Sequence, residues 1–184
     1  MDDGLSEIGD EIVSKRLGLS QTVASQIQRY RDSAARGDGV PDDEAVSVFR
    51  LVSRRSDAEL AFSDAGRRAA RFAARQGSAP SRALLRAAPR TVRRRLGLRT
   101  ASRVAQRTLS AELKPGGALA EAELAESLAT RAAAAGPGCY FYGAAFAELL
   151  RLLTGFEGAM VHDHCRARGD SACHWKAALV EGYE

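Results

Sequence analysis

The chain has 184 residues, of which 45% are hydrophobic and 27% charged, enough for one domain with a real core and too few for two full ones. Low aromatic content (6%) and abundant alanine exclude a typical all-β sandwich and favour an α+β fold in which helices dominate. The formal charge of +4 is carried almost wholly by arginine, and only Arg93, Arg94, Arg95, Arg99, Arg103 and Arg107 approach a stripe, so nucleic acid is not the expected partner.

The first ten residues are acidic and polar, without the basic start and apolar stretch of a secretory signal. No apolar run approaches the ~20 residues that span a bilayer. A soluble, cytoplasmic protein is therefore expected. Residues 1–40 read as a helical N-terminal arm, in which Val13, Leu17, Val23, Ile27 and Tyr30 recur at near-helical spacing and Ser20 caps a second short helix. Arg16 to Tyr30 also has the outline of a helix-turn-helix, although an arm packing on the domain or on a second subunit is the simpler reading.

Residues 41–184 read as the main domain. Gly37, Gly39 and Pro41 mark a loop, and Asp42 and Asp43 sit where a helix N-terminus favours negative charge. Val46, Phe49 and Val52 give that helix an apolar face through about Arg54. Ser56 or Asp57 caps the next, whose face of Leu60, Phe62, Ala65, Ala69, Phe72 and Ala73 runs to Gln76, before Gly77 and Pro80. Ser81 to Ser110 is helical again, with Leu84 and Leu85 early in it and with Pro89 and Gly97 expected to divide it. Lys114 to Gly117 reads as a flexible turn, and alanine-rich Ala118 to Ala135 as either helix or irregular chain.

Beyond Gly136, Pro137 and Gly138, an apolar stripe of Phe146, Leu149, Leu150 and Leu153 predicts a helix ending at Gly155. Ala159 to Cys165 and Ala172 to Val180 then read as strands of a small antiparallel hairpin, joined by the turn-forming Arg166 to Ser171.

All three cysteines (Cys139, Cys165, Cys173) and all three histidines (His162, His164, His174) fall in this last stretch. An odd cysteine count does not suit a disulfide framework. Zinc takes thiolate and imidazole ligands, four in a closed structural site, often as one pair from a hairpin and one from elsewhere. Cys165 and Cys173 lie at the two ends of the hairpin loop, and Cys139 lies just ahead of the long helix. Strand alternation puts His162 and His164 on one face and Cys165 on the other, so a ligand pair of His162 and Cys165 needs a bulge near Asp163. His164 is the substitute ligand, and His174 reads as a surface residue. On spacing alone the three cysteines also fit small buried hydrophobes, because no C-x-x-C pair is present.

The segment Gly138 to Lys176 resembles the 4-vinyl reductase domain. The likeness is carried by Cys139, the run Tyr140 to Gly143, the amphipathic helix and the motif His162-x-x-Cys165-Arg166-Ala167-Arg168-Gly169-Asp170-x-x-Cys173. Upstream, Asp42 to Phe49, Ala65 to Arg68 and Leu84 to Pro89 are similar to the small bacteriochlorophyll 4-vinyl reductase proteins. The resemblance implies a fold related to the haem nitric-oxide-associated and TRAPP-subunit superfamily, and a homodimer. It also implies Zn2+ held by Cys139, Cys165, Cys173 and a fourth ligand, here His162 where sensory members of the family carry glutamate.

The same resemblance implies binding of a hydrophobic small molecule such as a tetrapyrrole, a (bacterio)chlorophyll precursor. Phe72, Tyr140, Phe141, Tyr142, Phe146 and Trp175 are the candidate contacts, and each also fits plain core. One alternative is an effector-sensing module for an aromatic compound, acting through a partner or DNA. Another is a vinyl reductase fed by an external donor. The chain shows no dinucleotide-binding glycine motif and no iron–sulfur ligand set, so independent reductase activity is not expected.

Overall fold

A computed structural model describes residues 21–36, 38–75, 89–134 and 136–179. Ser20, Gly37, Gly77, Pro80 and the stretch with Leu84 and Leu85 lie outside the described residues. The chain forms two compact units, Met1–Glu44 and Ala45–Glu184. In the first, helix α1 (Gln21–Arg36) is tied by its own polar side chains: Gln26 Nε2 donates to Tyr30 Oη at 2.6 Å and Gln28 Nε2 to Asp32 Oδ1 at 3.0 Å. These are one-turn pairs of the kind that hold an exposed helix.

Helix α2 (Asp42–Val52) starts as expected on Asp42, Asp43 and Glu44, which complement the helix dipole, and it buries Val46 and Phe49. Helix α3 (Ala58–Arg75) buries Ala58, Phe62, Gly66, Ala70 and Ala73, and helix α4 (Arg90–Leu109) follows Pro89. Strands β1 (Glu112–Gly116) and β2 (Leu119–Leu124) precede a short helix α5 (Leu128–Arg131). Ser127 caps α5 by accepting from Thr130 N at 3.2 Å, and Thr130 Oγ1 accepts from Ser127 N in return. The long helix α6 (Cys139–Thr154), strand β3 (Gly158–His164), a 3-10 turn (Arg166–Arg168) and strand β4 (Cys173–Leu179) complete the domain.

The four strands form one antiparallel sheet in the order β1-β2-β4-β3. Along β1, β2 and β4 alternate residues face the core: Leu113 from β1, Ala120, Ala122 and Leu124 from β2, Cys173, Trp175 and Ala177 from β4. Helix α6 is the hub, packed on α3, α4 and the β3–β4 hairpin, with Phe146, Leu149 and Leu150 fully buried. The α+β class, helix-rich with a small antiparallel sheet, is thus observed.

Two expectations are corrected. Gly97 does not divide its helix. It lies inside the continuous α4, where a Cβ would collide with the Leu153 carbonyl oxygen, so it marks the point at which α4 crosses α6. Lys114 to Gly117 and the start of the alanine-rich segment are no loose turn or helix either; they form the β1–β2 hairpin, with Gly117 at the turn (φ +50) and Pro115 tolerated because β1 is an edge strand. No helix among the described residues is long and apolar enough to cross a membrane.

Candidate metal centre and adjoining cleft

Four elements bring the expected donors together. Cys139 is the first residue of α6, fixed there by its N–H donating to the Gly136 carbonyl at 3.1 Å. Cys173 opens β4 opposite Leu124. His162 lies in β3 opposite Trp175, with the two rings stacked at 4.6 Å and 14°. Cys165 follows β3, in a loop that is folded back on itself. Its N–H donates to Asp170 Oδ2 at 2.6 Å, and its carbonyl accepts from Arg168 N at 2.8 Å. Gly169, at φ +97, supplies the left-handed turn that lets Asp170 reach back.

The required bulge is present. The register of β3 against β4 shifts between His162 and His164, and the extra residue, Asp163, turns an odd spacing into a shared face for His162 and Cys165. His164 is not brought to the thiols. It stands largely exposed among Asp163 and His174, which is half-buried rather than free on the surface.

Cys139 Sγ lies 4.0 Å from both Cys165 Sγ and Cys173 Sγ, and the donor atoms of all four residues are within 4.8 Å of one another. A tetrahedral zinc–thiolate site, with bonds near 2.3 Å, needs sulfurs about 3.8 Å apart. All three thiols are free and buried, and His162 Nε2 is buried with no hydrogen-bond partner. Burial pushes the Cys139 thiol up to about 12 and raises Cys173, while burial and the nearby Arg168 lower His162. Left as they are, these groups form a neutral cluster with an unsatisfied nitrogen, which costs about 1–3 kcal/mol. A cation of charge two would satisfy the nitrogen and draw off the thiol protons. Cys139, His162, Cys165 and Cys173 fit a metal.

Cys139, His162 and Cys165 also form part of the wall of a cleft of about 710 Å³, a volume suited to a small-molecule site. Gly143, Ala144 and Ala147 of α6 line it with small side chains, and Arg67 and Arg168 bring positive charge to it. Tyr140, half-exposed, lines it too, and the charge of Glu59, another lining residue, raises its phenol.

Of the six aromatic candidates, Tyr140 and Trp175 line the cleft. Tyr142 and Phe146 are buried in the core with Trp175, and Phe141 packs edge-on against Phe49 at 5.4 Å. The Tyr142 hydroxyl is committed to structure, accepting from Leu128 N at 3.0 Å. Phe72 is 54% exposed and does not line the cleft. The small-residue face of α6 lies outside those six candidates, and its only signal in the sequence is the helical spacing of Gly143, Ala144 and Ala147.

Fold and site together define an α+β protein with a buried cluster of three thiols and one imidazole able to hold a metal ion beside a cleft. No family model, no curated protein and no solved structure matches the chain.

Proposed function

We propose that the protein is a zinc-containing small-molecule-binding module of the 4-vinyl reductase domain type, and that its ligand is a flat hydrophobic molecule such as a tetrapyrrole precursor. The observation that carries this reading is the convergence of Cys139, His162, Cys165 and Cys173, three of them in the wall of the cleft. Zinc is the ion best suited to three thiolates and an imidazole in closed tetrahedral array. Four protein donors leave no position for activated water, so the ion's role is to lock the β3–β4 hairpin to the start of α6. The small face of α6 offers a flat ring a surface without protruding side chains. Arg67 and Arg168 suit the acid groups that such pigments carry.

Elemental analysis of the purified chain should find one tightly held zinc, and Cys165→Ser should lose it together with much of the thermal stability. A variant that keeps its zinc and an unchanged melting temperature would remove the metal half of the reading. Titration with micromolar tetrapyrrole should give a saturable spectral change, weakened by Gly143→Leu, which fills the cleft. A titration without saturation would remove the ligand half.

A further inference from the structure

The strand segments that supply the thiol cluster supply a second set of donors to the opposite, water-facing side of the sheet. His162, Cys165 and Cys173 turn inward; Asp163, His164 and His174 turn outward. His174 Nδ1 lies 2.7 Å and His164 Nδ1 3.3 Å from the same oxygen, Asp163 Oδ1. The two rings are 5.8 Å apart at 68°, so their nitrogens converge on that oxygen from different directions.

From these positions we infer that Asp163, His164 and His174 form a second cation site, which takes a divalent transition metal through one carboxylate oxygen and two imidazole Nδ1 atoms. Bonds of about 2.0–2.2 Å from one ion to three such donors require the donors to lie roughly 3.0–3.4 Å apart. The observed 3.3 Å falls in that range, and the 2.7 Å contact, a His174–Asp163 hydrogen bond that the ion would replace, lies just short of it. Charged neighbours flank two of the donors. Lys176 Nζ sits 3.0 Å from Asp163 Oδ2, which leaves Oδ1 for the ion, and Glu121 Oε2 lies 3.8 Å from His174 Nε2, the nitrogen away from the site. Glu123, paired with His174 in the sheet, adds negative charge that offsets Lys176.

The donor set selects the occupant. Nitrogen and oxygen without sulfur suit zinc, nickel, cobalt or copper(II), and three protein ligands leave positions for water, so the ion exchanges readily. His164 is 58% exposed, at the rim where such exchange occurs. The site takes no ligand from the thiol cluster, so nickel binding and zinc content are separate readouts.

Nickel is the discriminating probe, since it prefers this donor set and does not readily displace zinc from thiolates. Isothermal titration of the purified full chain with Ni2+ should show one site of micromolar strength, weakened at least about tenfold by His164→Ala and by His174→Ala separately. His164 is exposed enough that its removal leaves folding intact, which circular dichroism checks. Nickel binding unchanged in His164→Ala, or no binding to the wild-type chain, overturns the site.

Discussion

Glu148 is an ionised side chain built into the core. It is a carboxylate on the core helix α6, only 5% exposed, and it is held by Arg71 Nε at 2.7 Å and by Arg151 Nε and Nη2, both at 2.8 Å. The hydrogen bonds from Arg151, and then those from Arg71, outweigh burial and hold its carboxyl at about 2, against an ordinary 4.5. Because the folded value lies below the unfolded one, the stabilisation is fully present above pH 4.5 and is lost as pH falls through about 2. Both arginines are half-exposed, so the contribution is of order 1–3 kcal/mol rather than the full equivalent of the shift. Urea denaturation of wild type and Glu148→Gln should therefore show a stability gap that is constant from neutral pH to about 5 and closes towards pH 2. A gap independent of pH would mean that Glu148 is not ionised by its arginines.

At the scale of elements, the packing of α3 on α6 depends on a missing side chain. A Cβ at Gly66 would overlap the Phe141 carbonyl oxygen, and a backbone atom cannot rotate away as a side chain does. Gly66→Ala should destabilise by about 1–3 kcal/mol, the overpacking cost exceeding the helix propensity gained. Thermal denaturation checks this, and a more stable variant would show that the helices separate at little cost.

The same scale explains what the sequence could and could not disclose. Helices α2, α3 and α6 were legible because Val46, Phe49, Phe62, Phe146 and Leu149 are large and recur at helical spacing. The β3–β4 hairpin was legible because its turn residues, Gly169 and Asp170, separate two apolar runs. Strand β2 was not. Its inward residues Ala120 and Ala122 alternate with Glu121 and Glu123, so the period of two is there, but alanine and glutamate are strong helix formers and the contrast is weak. The sheet overrides that propensity by pairing β2 on both edges. The thiol cluster was foreseeable because its chemistry is rare in the chain. Its outward counterpart was not, because Asp163 and His174 meet only through the bulge and the strand register.

For the whole molecule, the chain ties its thiol–imidazole cluster and its cleft into one object. Three of the four donors are also wall residues, so neither the ion nor a guest molecule can be added without altering the surroundings of the other. Linkage makes that relation quantitative: if the guest tightens the hold on the ion by some factor, the ion must tighten the hold on the guest by the same factor. On the proposed function, the loaded protein should need more chelator than the empty one to give up its zinc, and the stripped protein should bind pigment correspondingly more weakly. A ratio above one, the same in both measurements, would mark the pair as heterotropic effectors. A ratio of one in both would show that they share a wall without sharing free energy.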